Sequence, residues 1–180
     1  VIRHAALIAP PAQRDAVGRQ ILAQLQVSTG APCARAAGSA VLDRVAQRTL
    51  GPDSRVLVLP TTLRGARALP GKLIVLGNEL VAGQAAPEVA IGHVVAAQVA
   101  AEGQDPMAGA LQFAGFGAAV TLLTSGALPD ASLAGYAEQL LSHPPARAPD
   151  DALLAAFQKS GIPSTPYARS IDPSGESVLG

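Results

Sequence analysis

Between Pro10 and Val27 the apolar residues Val17, Ile21 and Leu25 recur every fourth position with Leu22 beside them, while Arg14, Asp15, Arg19 and Gln24 take the remaining positions. That period predicts an amphipathic helix over about 10–27, opened by Pro10-Pro11 and broken at Ser28-Thr29-Gly30. Ala37, Val41 and Val45 make a second helical stripe over about 33–50, stopped by Gly51-Pro52. The pattern then changes. Arg55-Val56-Leu57-Val58-Leu59 is a short, nearly continuous apolar run ended by Pro60, as in a strand covered on both faces. A polar stretch, 61–67, leads to the turn Leu69-Pro70-Gly71 and a second strand, Lys72-Leu73-Ile74-Val75-Leu76. Pro87 opens a helix to about Glu102, with Glu88 in the first turn where the helix dipole favours an anion. Two more helices are expected over 131–142 and 150–160, the latter capped by Asp150 and stopped by Gly161. Residues 162–180 hold three prolines and read as an extended tail. The fold class is therefore α+β, a small sheet of two or more strands packed on several helices. One domain over 1–161 and a tail over 162–180 are expected.

Composition narrows the functions. Hydrophobic residues make up 49% and charged residues 14%, too apolar a balance for a disordered chain. Lys+Arg 13 and Asp+Glu 13 cancel and the arginines are scattered, so no nucleic-acid partner is expected. The single cysteine, Cys33, excludes an internal disulfide and a cysteine zinc cage, and is read as an inert small hydrophobe. From Pro106 to Pro129 no residue is charged. That length raises membrane contact through 106–129, but four glycines and the acidic flanks Asp105 and Asp130 favour a buried or membrane-skimming helix over a span. A cytoplasmic or membrane-associated location is expected.

Familiar catalytic signatures are missing. There is no nucleophile elbow and no Walker loop, and the glycines of 109–117 lack dinucleotide-binding spacing. His4 and His143 sit near the terminus and in a Pro-rich linker. His93 instead lies mid-helix in Ile91-Gly92-His93-Val94-Val95-Ala96-Ala97. Upstream stand Ala66-Arg67-Ala68-Leu69-Pro70-Gly71-Lys72-Leu73-Ile74-Val75 and Asn78-Glu79-Leu80. In order and spacing these pieces resemble the HtpX-like and CAAX-prenyl-protease-like zinc metallopeptidases, over about 50–142. In that family an A-x-A-L-P-G-G-x-I-x-V stretch forms a strand and is followed by a helix carrying G-H-E-x-x-H. The resemblance implies a zincin-like fold, with substrate peptides paired along an exposed strand edge. It points to Leu69, Pro70, Gly71, Leu73 and Ile74 as peptide-binding.

The chemistry has been lost from the motif. A zincin needs two histidines one helical turn apart and a glutamate beside the first. Here His93 remains, but Val94 stands for the glutamate and Ala97 for the second histidine. The third ligand position falls on Ala134, or on Tyr136 if the match slides. The resemblance is to a degenerate member: no cofactor is expected, and His93 is the one residue left to touch a metal. Three readings follow. The first is an inactive, metallopeptidase-like domain retained for binding a protein or peptide. The second is a zinc-dependent endopeptidase with other ligands. The third is a membrane-associated structural protein.

Overall fold

A computed structural model describes residues 2–34, 36–82 and 86–174. The elements run α1 (Ile2–Ile8), α2 (Pro11–Thr29), α3 (Ala36–Leu50), β1 (Arg55–Leu59), β2 (Ala66–Leu69), β3 (Leu73–Gly77), a 3-10 turn (Asn78–Leu80), α4 (Pro87–Gly103), α5 (Pro106–Ser125), α6 (Asp130–Ser142), α7 (Asp150–Ser160) and α8 (Thr165–Ile171). The fold is α+β. The sheet order is β1-β3-β2, with β1 and β3 parallel and β2 antiparallel to β3.

Alternation along the strands divides the core, because successive side chains leave opposite faces of a sheet. Val56, Val58, Ala66, Ile74 and Leu76 face one way, onto Val94 and Ala97 of α4 and Ala46 of α3. Leu59, Leu69, Leu73 and Val75 face the other way, onto Val17, Ile21 and Leu25 of α2 and onto α5 and α6. The far side of α4 carries Val95 and Val99, which meet Leu153 and Phe157 of α7 and Tyr167 of α8. Thus α4 lies between the sheet and the last two helices. Its sequence is apolar on the two sides so covered for that reason.

Arg14 ties the N-terminal helices to this body. Its guanidinium forms two hydrogen bonds with Asp105, at 2.8 and 2.9 Å, and donates to the Ala6 carbonyl. Asp105 also caps α5 by accepting from the Met107 N–H. Burial pushes the Asp105 carboxyl up, but the Arg14 and Met107 hydrogen bonds and the Arg14 charge outweigh it and hold the group below its usual range.

The structure departs from the sequence expectation in four places. Residues 2–8, given no element, form α1; so short a helix is marginal alone and is held by burial of Ala5 and Ala6 against α5. Part of the polar stretch and the turn after it, Ala66–Leu69, is the strand β2, which pairing with β3 imposes on residues of weak strand propensity. The uncharged segment forms α5, interrupted at Gly115, whose φ of 85° lies outside the helical region. The tail expected to be extended from 162 contains α8, because Tyr167 is buried against α4; residues 175–180 of that expectation lie outside the described residues.

Candidate functional site

The residues that the sequence reading aligned with a zinc motif lie in three surroundings. His93 faces α8. Its Nε2 lies 3.1 Å from Ser170 Oγ, and its ring meets Tyr167 edge-on at 4.9 Å. Ser170 Oγ donates its only proton to the Tyr167 carbonyl at 2.6 Å. With that proton spent, the hydroxyl is left as an acceptor, an arrangement that suits the Nε2–H tautomer of His93. Burial pushes the imidazole pKa down, with the Glu79 charge opposing. Val94 faces the sheet and is 1% exposed. Ala97 reaches the wall of a cleft. Ala134 is half-buried on α6, and Tyr136 lines the same cleft as Ala97. Burial pushes the Tyr136 phenol pKa up. These residues do not fit a zinc ion: one imidazole held against Ser170, a valine in the core, two alanines and a half-buried phenol on a different helix. Among the described residues no cluster of three His, Cys, Asp or Glu could hold a metal.

The Leu69-Pro70-Gly71 turn lies beneath α2. A β-carbon on Gly18 would overlap the Pro70 carbonyl oxygen, and one on Gly71, whose φ is 82°, would stand 2.7 Å from the Asp15 Cα. Leu73 and Ile74 belong to β3, which is paired on both sides and buried throughout. Leu69 closes the edge strand β2 but bonds inward to Leu73, so the five residues present no outward strand groups. The sheet's edges are β1, where the Val58 carbonyl is taken by the Cys33 N–H, and β2, which borders the cleft.

Its hydrogen-bonding groups can be assigned from the ladder. The Gly77 N–H donates to the Gly65 carbonyl at 2.9 Å. In an antiparallel pair, hydrogen-bonded and non-bonded residues alternate, so Arg67 and Leu69 exchange bonds with Val75 and Leu73. Ala66 and Ala68 then aim their N–H and C=O groups away from β3. The Ala66 carbonyl is taken by Arg67 Nη1 at 3.1 Å. Ala68 N–H and C=O have no hydrogen-bond partner among the described residues. They open on a cleft of about 730 Å³ lined by Ala66, Arg67 and Ala68, by Ala97, Ala100 and Ala101 of α4, and by Gly109 of α5 and Tyr136 of α6.

Arg67 is the residue that sequence reasoning missed. It stood as the variable position of Ala66-Arg67-Ala68, where a charge beside a strand was the only signal. Its guanidinium turns back over the edge of β2 and donates to the carbonyls of Arg64, Ala66 and His143. Burial pushes its pKa down, with the Glu79 charge opposing. Glu79 itself accepts the Gly65 N–H at 2.6 Å, fixing the turn into β2. Cys33 is exposed and enters no part of the cleft; its N–H donates to the Val58 carbonyl. No protein-family model matches the chain, and a search of curated proteins returns no match.

Proposed function

We propose that the chain is a zincin-like domain without peptidase chemistry, and that it binds an extended peptide by strand addition along β2. The observation that carries this reading is the unpaired Ala68 N–H and C=O facing the cleft. An edge of this kind is a template for another strand. The small side chains of Ala97, Ala100, Ala101 and Gly109 leave room for the side chains of an incoming peptide. The loss of the motif glutamate and second histidine supports the absence of hydrolysis. A zinc-bound state is not part of this reading.

Ala68→Pro tests it. Proline removes the outward donor and sets a ring in its place, yet breaks no bond of the β2–β3 ladder. Binding to an immobilised array of random hexapeptides should fall at least tenfold, with Ala68→Ser as the control that keeps the donor. Undiminished binding by a folded Ala68→Pro variant would overturn the reading.

One observation favours a second reading, contact with a lipid surface. Beyond Gly115, α5 exposes Phe116, Val120 and Leu123 along one face, and only 33% of its most apolar window is buried. By length and composition α5 is the one described helix apolar enough to cross a membrane. The hydroxyls of Thr121, Thr124 and Ser125 bond back to helix carbonyls, so this end of α5 presents little unmet polarity. Phosphatidylcholine vesicles should then co-sediment the protein and lose it on Phe116→Asp. Failure of the wild type to co-sediment would remove this reading.

A further inference from the structure

The cleft is lined by a buried cation whose hydrogen-bond acceptors among the described residues are backbone carbonyls. Arg67 is 7% exposed. The ion pairs among the described residues are Arg14–Asp105 and Arg147–Asp150, so no carboxylate touches its guanidinium. Three carbonyls accept from Nη1 and Nη2. A guanidinium has five N–H donors, which leaves Nε–H and one Nη2–H without an acceptor. Among the described side chains, Gln13 Oε1 is the one fully buried polar atom lacking a hydrogen bond. The Nε of Arg67 is therefore not wholly enclosed, and the Arg67 side chain lines the cleft. A guanidinium with two donors unspent suits the oxygens of a carboxylate.

Its position fixes what a bound peptide meets. A strand added beside Ala68 cannot continue its pairing past Ala66, because Arg67 already occupies that carbonyl. If the peptide runs parallel to β2, its N-terminal side lies at this end, and a free ammonium there would face a like charge. If it runs antiparallel, its C-terminal side arrives at the guanidinium. We propose that Arg67 is a carboxylate-recognition residue, and that the cleft binds an extended peptide antiparallel to β2 with a carboxylate on the Arg67 guanidinium. The carboxylate is that of the chain end or of an Asp or Glu side chain beside it. This rests on the strand-addition reading.

The test uses the full chain and three matched hexapeptide arrays: free-acid C-termini, the same sequences as C-terminal amides, and amides carrying one Asp at the last position. The strongest free-acid binders should lose at least tenfold on amidation in the wild type, a comparison that needs no variant to fold. Arg67→Gln should abolish that difference while Arg67→Lys keeps part of it. Rescue of the amides by Asp assigns the carboxylate to a side chain, and lack of rescue assigns it to the chain end; both support the site. Equal binding of acids and amides, still sensitive to Ala68→Pro, overturns the carboxylate site alone. No binding to any array overturns it together with strand addition.

Discussion

Val94→Glu, which sets a glutamate beside His93 as in the zinc peptidases that the sequence resembles, is expected to destabilise the fold severely. Position 94 faces the sheet, packed in one apolar cluster with Val56, Val58, Ile74 and Leu76. A carboxylate there gives up its hydration for no partner. Even after it protonates, the hydroxyl and carbonyl must be buried in a space shaped for valine. Unpaired buried polar groups and overpacking together cost about 4 kcal/mol or more, against a total stability of about 5–15 kcal/mol. The deficit should depend on pH. Burial raises the folded-state pKa of the introduced carboxyl above its unfolded value of about 4.3, so the loss is smallest below that pH and grows above it, by about 1.4 kcal/mol per unit until the folded pKa is reached. Ala97→His is the comparison on the same helix; position 97 also packs on the sheet but borders the cleft, so it should destabilise less than Val94→Glu. Urea melts at pH 4 and pH 7 read both. A Val94→Glu variant as stable as the wild type at pH 7 would show that α4 presents another face to the sheet.

The second large effect is expected at Gly18, where the lack of a side chain lets α2 pack directly on the turn below it. A β-carbon would overlap the Pro70 carbonyl oxygen and lie 3.0 Å from its carbon, and both atoms are backbone. No rotamer change relieves that clash, so the helix or the β2–β3 turn must shift. Gly18→Ala should cost about 3 kcal/mol or more, lowering the melting temperature by about 6–12 °C for a chain of this size. Gly117→Ala supplies the opposite sign. Its added methyl meets nothing within 4 Å, and relief of glycine's backbone entropy in a helix should stabilise by about 0.5–1 kcal/mol. Thermal melts of the two variants should therefore move in opposite directions; a Gly18→Ala melt at or above the wild type would sink the argument.

What the sequence revealed follows from which interactions are local. The stripe Val17, Ile21, Leu25 marks α2 because one helix face carries it, and the apolar run at 55–59 marks β1 because both faces are covered. Ala66–Leu69 gave no such signal: an edge strand of four residues owes its conformation to β3, not to its own side chains. The tail misled through its prolines, since Pro166 sits in the first turn of α8, where its missing N–H costs nothing, and Tyr167 supplies the anchor. At the candidate site, His93, Ala97 and Tyr136 were legible as motif positions, but their separation was not. The Ser170 contact spans 77 residues of sequence. The role of Arg67 was hidden for the same reason, because its acceptor at His143 lies 76 residues away.

The break at Gly115 also sets a limit in length. It leaves α5 as two helical pieces, 106–114 and 116–125. At a rise of about 1.5 Å per residue these measure about 14 and 15 Å, each roughly half of the ~30 Å hydrocarbon layer of a bilayer. Neither piece crosses alone. Crossing would require straightening at Gly115 and withdrawal of Met107, Leu111 and Leu122 from the core they fill. In the folded protein, α5 has the reach to graze one leaflet.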